Sequence, residues 1–209
     1  MAKITTNDIR RELSAYGILP APVACEKIQL YIGLLLAWNK KISLTKYVDP
    51  IEIIKFHFGE SLFVLNSLQL AEGTLADVGS GAGFPGLPIA LLSSSLDVSL
   101  IEANGKKAAF LSEVVRRLGL RNVKVLNTRM EDAKASPFLD FVTVRAVAQT
   151  EELFGWAKRS LAKGGKLVLW VGDEGTKNSC QIKGWQWAAP VLIPGSQKRY
   201  IVVGSPIID

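Results

Sequence analysis

The sequence predicts an α/β fold whose mostly parallel, seven-stranded sheet ends in a C-terminal antiparallel hairpin and follows an N-terminal helical extension. Three observations predict it. Residues 1–70 carry only helical patterns, and from Thr74 short apolar runs alternate with further helical patterns. The last two strand-like runs are joined by only four residues, PGSQ. The alternation of strand-like and helical patterns indicates βαβ units and a parallel sheet. The four-residue connection between the last two runs is so short that it permits only an antiparallel pair of strands.

Three helices are predicted in the N-terminal extension. Thr6 is expected to cap a first helix that stops at Gly17, and a second helix is expected from about Val23 to Asn39. The apolar stripe of this second helix comprises Ile28, Tyr31, Leu35 and Trp38. The pair Asp49-Pro50 supplies a capping side chain followed by proline at the first helical position, which predicts a third helix to about Leu68.

The remainder, residues 71–209, is predicted to form the sheet and its covering helices. The candidate strands are LADV, DVSLIE, VKVL, FVTV and KLVLWV, with WQWAAPVLI and KRYIVVG forming the closing hairpin. The candidate helices between them are GLPIALL, GKKAAFLSEVVRRLG and TEELFGWAKRSL. Right-handed crossovers place the loops after the parallel strands on one edge of the sheet, where ligands bind.

Composition limits the classes of protein to be considered. The chain has 209 residues, 48% apolar and 21% charged, which fits one structural domain with the extension packed on the core. Cys25, Cys180 and the single histidine, His57, are too few and too scattered for a disulfide framework or a metal site. The apolar run LYIGLLLAW is too short to span a bilayer, and the N-terminus lacks a secretory apolar region, so no membrane association and a cytoplasmic location are expected.

A glycine-rich loop follows the first predicted strand in LADVGSGAGFPGLPIALL, residues 75–92. The hexapeptide GAGFPG matches the dinucleotide fingerprint with its tight turn at Gly81, whereas Asp77 followed by GSGAG places that turn at Gly79. Pro85 and Pro88 remove backbone donors that a pyrophosphate would need. The loop therefore favours a nucleotide-like ligand that does not bring phosphates to it.

Side chains after the next strands fall on the same edge. Glu102 comes 23 residues after Gly79, where an acid accepts hydrogen bonds from ribose hydroxyls. Met130 can cover an adenine face beside Glu131, although ordinary packing explains a methionine there equally well. Arg145 can hold an RNA phosphate, a guanine O6 edge or a cofactor carboxylate, with a surface ion pair as the alternative.

Basic residues are frequent, and the net charge of +6 fits a polyanionic partner. The candidates for RNA phosphate contacts are Lys40, Lys41, Lys46, Lys106, Lys107, Arg116 and Arg117. For any one of them a solvated helix face is an equally good explanation. His57 lies between Phe56 and Phe58, so we expect it to be a packed, structural histidine.

These features together resemble the class I, Rossmann-like, S-adenosylmethionine-dependent methyltransferases. More closely, the chain resembles the bacterial 16S ribosomal RNA guanine-N7 methyltransferase G family, also known as glucose-inhibited division protein B. The matching segments are WNKKISLT at 38–45, FHFGES at 56–61, DVGSGAGFPGLPIAL at 77–91, EANGKKAAFL at 102–111, TRMEDA at 128–133 and VRAVA at 144–148. The resemblance as a whole covers nearly the whole chain, from about residue 28 to residue 203.

The resemblance implies methyl transfer from S-adenosylmethionine to N7 of a guanosine in the decoding-region loop of 16S rRNA, by a monomer acting on the rRNA or an assembling small subunit. It implies cofactor-binding roles for Asp77, Gly79, Gly81, Phe84, Glu102, Met130, Glu131 and Arg145. The catalytic residue is not identified, with Arg145 and Glu60 as candidates. Relatives commonly have aspartate where this chain has Glu102 and Glu60.

The chemistry agrees with that implication. Guanine N7 carries a free lone pair in neutral guanine, so attack on a sulfonium methyl requires positioning more than a general base. No cysteine lies in a candidate active-site loop, which disfavours methylation at pyrimidine C5. Three alternatives remain: an NAD(P)-dependent oxidoreductase, an RNA-binding module with a degenerate cofactor pocket, and a methyltransferase acting on a small molecule.

Overall fold

A computed structural model describes residues 4–68, 70, 72–133, 138–146, 148, 150–179 and 181–207. Cys180 and Val147 of the VRAVA segment lie outside these residues. The helices are α1 Thr6–Ser14, α2 Pro22–Asn39, α3 Pro50–Ile53, α4 Glu60–Leu68, α5 Gly86–Leu92, α6 Gly105–Leu118, α7 Glu151–Ser160 and α8 Asp173–Ser179. The strands are β1 Gly73–Val78, β2 Leu96–Ile101, β3 Val123–Leu126, β4 Leu139–Arg145, β5 Leu161–Gly172, β6 Trp185–Trp187, β7 Val191–Leu192 and β8 Arg199–Pro206.

The start of α1 corrects the predicted cap. Thr5, rather than Thr6, is the capping residue, because its hydroxyl accepts from the amide of Asp8 at 3.1 Å while the Asp8 carboxylate accepts from the amide of Thr5 at 2.9 Å. This reciprocal pair requires an acid three residues after the cap, a spacing that Thr5 has and Thr6 lacks. The helix ends at Ser14, and Gly17 completes the following turn with a φ of +72°.

The other two helical predictions for the extension agree with the structure. Asp49 caps α3 by accepting from the amides of Ile51 and Glu52 at 2.9 and 3.0 Å. Between α3 and α4 the helix widens into a π-helical turn at Ile54–Gly59, a feature common near functional sites. On α2 the predicted stripe is buried at Ile28, Tyr31 and Leu35 and partly buried at Trp38.

The sheet confirms the predicted fold class. Its order is β3-β2-β1-β4-β5-β8-β6, with β7 also paired to β8, and β1 to β5 are mutually parallel. The closing part is antiparallel, as expected. The sheet has eight strands rather than seven because the run WQWAAPVLI is divided into β6 and β7 around Pro190, which has no amide to donate to the ladder. The short polar helix α8 was not predicted.

Both faces of the sheet are covered. Leu75 and Val168 enter one core, which they share with α2, α5 and α6, whereas Ala76 and Leu167 enter a second core beneath α7. Alternate residues of the same strand therefore contribute to opposite cores, as in a parallel sheet buried on both sides. The N-terminal helices belong to the first core, and the domain boundary at about residue 70 stays a prediction.

Candidate functional site

The glycine loop leaves the carboxyl end of β1, whose neighbours β2 and β4 lie on opposite sides of it. In an open parallel sheet such a point of divergence is where ligands bind. The amides of Gly79 and Ser80 both donate to the carbonyl of Ile101, at 2.9 and 3.1 Å. Gly79 and Gly81 have φ values of +67° and +57°, so glycine at both positions keeps the backbone bare without strain.

Asp77 lies behind this loop. It is 1% exposed, its Oδ2 accepts from the amide of Gly86 at 3.2 Å, and its Oδ1 accepts from the hydroxyl of Thr143 at 2.8 Å. Burial raises the pKa of the carboxyl to about 6, against the opposing effect of those hydrogen bonds. Asp77 thus ties β1, β4 and the start of α5 together, and its direct contact with a cofactor stays a prediction.

We expect Asp77→Asn to stabilise the fold near neutral pH. The folded pKa of about 6 exceeds the ordinary 3.8, so the stability contributed by the protonated carboxyl is present below about pH 4 and is lost as the pH rises through 6. By this linkage, the ionised carboxylate costs about 2 to 3 kcal/mol at pH 7.5. An asparagine can accept from Gly86 and donate to Thr143, which retains both contacts.

Urea unfolding at pH 4.5 and pH 7.5 checks this prediction. The variant should gain about 2 kcal/mol over the native chain at pH 7.5 and less at pH 4.5. Asp97→Asn, at an exposed position on β2, serves as the control and should change the free energy of unfolding little. A variant less stable than the native chain at pH 7.5 would contradict the raised pKa of Asp77 on which this prediction rests.

Glu102 links the glycine loop to the end of β2. It is 8% exposed, its Oε2 accepts from the amide of Gly81 and its Oε1 from the amide of Asn104, both at 2.8 Å. Each carboxylate oxygen keeps acceptor capacity beyond these contacts. Backbone amides therefore fix the position of Glu102, the residue predicted to bind the ribose. Its carboxylate can still accept hydrogen bonds from two hydroxyl groups.

A cavity of about 340 Å³ opens beside Glu102, within the size range of small-molecule sites. It brings together four of the predicted cofactor positions: Gly79, Glu102, Met130 and Glu131. Apolar side chains such as Ile101 and Leu153 complete the wall. Met130 also packs against the core beneath α7, and its contact with an adenine stays a prediction. The volume of the cavity and its lining, an acid beside apolar side chains, suit a nucleoside.

A second cavity, of about 200 Å³, shares Gly79 with the first. Its wall is formed by Leu44, His57, Gly79, Ser80, Gly81, Ala82, Phe84, Lys107, Arg145 and Ala146. Three predicted cofactor positions, Gly81, Phe84 and Arg145, are therefore on this side of the loop, with Lys107 as a second cation. Among the described residues, Gly79 is the one found in the walls of both cavities.

Arg145 is held by the helical extension. Its guanidinium donates to the carbonyl of Phe56 at 2.6 Å and to Glu60 Oε2 at 2.9 Å, with a longer contact of 3.4 Å to the hydroxyl of Ser61. Its side chain is 17% exposed, and burial lowers the pKa of the guanidinium while Glu60 opposes that change. An ion pair was the alternative role that the sequence allowed for Arg145. The structure shows such a pair with Glu60, and it is largely buried.

Glu60 lies between two arginines. Arg199 Nε is 2.8 Å from Glu60 Oε1, on the side opposite Arg145, and the Arg199 guanidinium lies over the ring of Phe56 at 5.0 Å. Burial raises the pKa of the Glu60 carboxyl, and both arginines oppose the rise. Glu60 is absent from the walls of the two cavities, so the structure places it behind Arg145; a direct catalytic role for either residue stays a prediction.

The sequence reasoning missed Arg199, although a signal existed. In the antiparallel pairing of β8 with β5, Arg199 lies opposite Gly172, the last residue of β5. The carboxyl end of β5 lies at the same edge as the glycine loop, so the first residue of β8 must lie there too. An antiparallel β8 placed beside β5 would have put Arg199 at this edge.

His57 is packed, as expected. Its ring stacks on Phe84 with centroids 4.4 Å apart, and its Nε2 lies 2.7 Å from the hydroxyl of Thr45. Burial, and then the charges of Arg145 and Lys46, lower the pKa of His57 to about 3. The imidazole is therefore neutral at physiological pH and contributes a flat face to the wall of the second cavity.

The predicted RNA-contacting residues separate into three groups. Lys106 and Lys107 begin α6 at the ligand edge, where Lys107 lines the second cavity, and Lys46 is close enough to lower the pKa of His57. Lys40 and Lys41 are exposed just after α2. Arg116 and Arg117 end α6 at the opposite edge, because β3 starts there, and both pair with Glu113. The structure does not bring these two arginines to the cavities.

The part of the chain that the structure describes offers no cluster of three or more histidine, cysteine, aspartate or glutamate side chains for a metal ion. Among the same residues, no helix has the length and apolar character needed to cross a membrane.

Comparison with known proteins places the chain among methyltransferases. A family model described as GidB, rRNA small subunit methyltransferase G, matches residues 24–184. The chain is 35% identical over 203 residues to the ribosomal RNA small subunit methyltransferase G of Chloroflexus aggregans, covering 91% of this chain and 85% of that protein. The same-named protein of Desulfitobacterium hafniense is 34% identical over 187 residues, covering 88% and 74%.

Solved structures agree at the level of the fold. A SAM-dependent methyltransferase from Aquifex aeolicus superposes with a TM-score of 0.62 and 19% identity, covering 75% of this chain and 93% of that one. A ribosomal protein L11 methylase from Lactobacillus delbrueckii gives 0.60 and 13%, covering 73% and 79%. Both structures resemble this chain in the arrangement of the sheet and helices described above.

Proposed function

The chain belongs to the rRNA small subunit methyltransferase G family, and on that premise we propose that it transfers a methyl group from S-adenosylmethionine to N7 of a guanosine in the decoding-region loop of 16S rRNA. The main support for the proposal is one observation of the site. An adenosine-sized cavity and a cation-lined cavity both have Gly79 in their walls. The adenosine of the cofactor would occupy the first cavity, and its methionine end would extend past Gly79 to the second, where the acceptor base would meet the methyl group.

The residues present fit S-adenosylmethionine. Glu102 would hold the ribose hydroxyls, Met130 and Glu131 would border the adenine, and the positive-φ backbone at Gly79 and Gly81 leaves room for the methionine part. Phe84 and Arg145 line the continuation of that space. The bound cofactor supplies an electrophilic methyl group on a sulfonium.

The chain's own contribution to the reaction is positioning. Because N7 of neutral guanine carries a free lone pair, the site needs no base to remove a proton before attack. With a pKa of about 3, His57 is too weak a base to act as a general base. Both carboxylate oxygens of Asp77 already accept hydrogen bonds, from the Gly86 amide and the Thr143 hydroxyl. The protein must hold the base in line with the sulfonium and exclude water, which packed aromatic and glycine-rich walls accomplish.

The RNA path we propose runs over the ligand edge. Lys46, Lys106 and Lys107 lie there, with Lys40 and Lys41 exposed after α2. Such charges contribute affinity for phosphates without selecting a sequence. We propose further that the protein acts in the cytoplasm as a monomer, on 16S rRNA or an assembling small subunit; the rRNA named in the family description supports the substrate and the location.

Methyl transfer from labelled S-adenosylmethionine to 16S rRNA tests the proposal. The rRNA should come from a strain lacking the gene, with free nucleosides as a second substrate and calorimetry with NADH as a third arm. We expect label in rRNA, none in nucleosides, and no NADH binding. Label in nucleosides alone would indicate a small-molecule methyltransferase. NADH binding without S-adenosylmethionine binding would indicate an oxidoreductase. Cofactor-independent RNA binding without label would indicate a non-catalytic module.

A further inference from the structure

Tyr31, in the middle of α2, reaches the glycine loop from outside the sheet domain. It is fully buried, and its hydroxyl donates to the carbonyl of Ala82 at 2.5 Å. Burial, with the charge of Asp77 as a smaller contribution, raises the pKa of Tyr31 well above the ordinary value, so the phenol keeps its proton and remains a donor. A helix of the N-terminal extension therefore contacts the loop through a directed hydrogen bond.

The same ring supports Phe84. Tyr31 and Phe84 are stacked with centroids 5.3 Å apart and planes at 6°, and His57 also stacks on Phe84, with centroids 4.4 Å apart and planes at 14°. Two rings of the extension therefore pack on Phe84, one from α2 and one from the π-helical turn. Stacked aromatic pairs of this kind add to the stability gained by burial alone.

The space left between Tyr31 and the loop is filled. A side-chain carbon at Gly83 would collide with the Tyr31 hydroxyl and with Leu87, and Gly83 has a φ of +91°. The segment Ala82–Phe84 is therefore held by a hydrogen bond, a ring stack and a close approach, all of which involve Tyr31. On its other side this segment forms the wall of the second cavity.

We propose that Tyr31 is a positioning residue for cofactor binding, which fixes Ala82 and Phe84 of the glycine loop in the geometry that receives S-adenosylmethionine. This inference rests on the proposed function, and it assigns to the N-terminal extension a role in preparing the cofactor site. The loop is ordered before the cofactor arrives, so less conformational entropy is lost on binding. Tyr31 itself need not touch the cofactor.

Tyr31→Phe tests the proposal, because it deletes only the hydroxyl and keeps the stacked ring. Losing one neutral hydrogen bond to the loop should weaken S-adenosylmethionine binding about fivefold in calorimetry. The methylation rate at saturating cofactor should stay within about twofold of the native rate, since the reacting groups are untouched. Hydrogen exchange of the amides between Gly79 and Leu87 should become faster.

Tyr200→Phe is the matched control. It removes a hydroxyl that hydrogen-bonds to Asp173, the first residue of α8, rather than to the glycine loop, and should leave the cofactor affinity unchanged. If Tyr31→Phe lowers the melting temperature but leaves the cofactor affinity and the loop exchange unchanged, Tyr31 is a core residue only and the proposal is wrong. If the native chain fails to bind S-adenosylmethionine at all, the proposed function fails instead.

Discussion

Gly79→Asp is expected to abolish S-adenosylmethionine binding, with a dissociation constant raised by at least about 100-fold. Gly79 is the residue that the two cavities share, so any side chain there enters the space assigned to the cofactor. Its φ of +67° adds backbone strain for a residue other than glycine. Calorimetric titration with S-adenosylmethionine measures the effect directly.

Gly119→Asp controls for the strain. Gly119 follows the last residue of α6 with a similar φ, +62°, and a side-chain carbon at this position would meet no other atom within 4 Å. Both variants should therefore lose a comparable amount of stability, while only Gly79→Asp should lose the cofactor. Normal binding by Gly79→Asp would mean that the loop register centred on Gly79 is wrong.

Glu60→Ala is expected to destabilise the fold by about 3 kcal/mol, since it removes the carboxylate that both arginines contact and leaves the largely buried Arg145 without its charged partner. Glu60 is 2% exposed, and its two oxygens contact Arg145 at 2.9 Å and Arg199 at 2.8 Å. The loss of charge also frees Arg145 from the position in which it borders the second cavity. Urea unfolding should show the lower stability, and calorimetry should show weaker cofactor binding.

Glu113→Ala provides the comparison on the surface. Glu113 also lies between two arginines, Arg116 at 2.8 Å and Arg117 at 3.9 Å, but these arginines are 69% and 48% exposed. Exposed pairs of this kind contribute at most about 1 kcal/mol. Equal effects of the two substitutions on unfolding would show that the buried triad carries no special stability.

Local chemistry made much of the fold predictable. Asp49 caps α3 and Asn104 caps α6 through short-range contacts that the sequence contains. The alternation of apolar runs identified the five parallel strands. The misplaced first cap arose because Thr5 and Thr6 are adjacent and chemically alike, and only the partner three residues later distinguishes them. The polar helix α8 has no apolar stripe by which periodicity could detect it.

The parts of the site that directly follow a strand could be predicted from the sequence. Glu102 and the glycine loop follow β2 and β1 directly, so topology alone brings them together. Contacts between distant segments were not predictable in this way. Tyr31 was identified only as a member of a core stripe, and its hydrogen bond to Ala82 spans 51 positions. The Glu60 pairs with Arg145 and Arg199 likewise depend on how the extension docks against the sheet.

The central claim is that this site delivers a methyl group to N7 of one guanosine in 16S rRNA, and mapping the labelled product tests it most directly. Labelled S-adenosylmethionine and undermethylated 16S rRNA should yield a single labelled guanosine in the decoding region, recovered as 7-methylguanosine. Replacing that guanosine with 7-deazaguanosine removes the attacking nitrogen and should eliminate the label. Label that persists on the 7-deaza substrate, or that lies on an exocyclic amine or a pyrimidine carbon, would contradict the account.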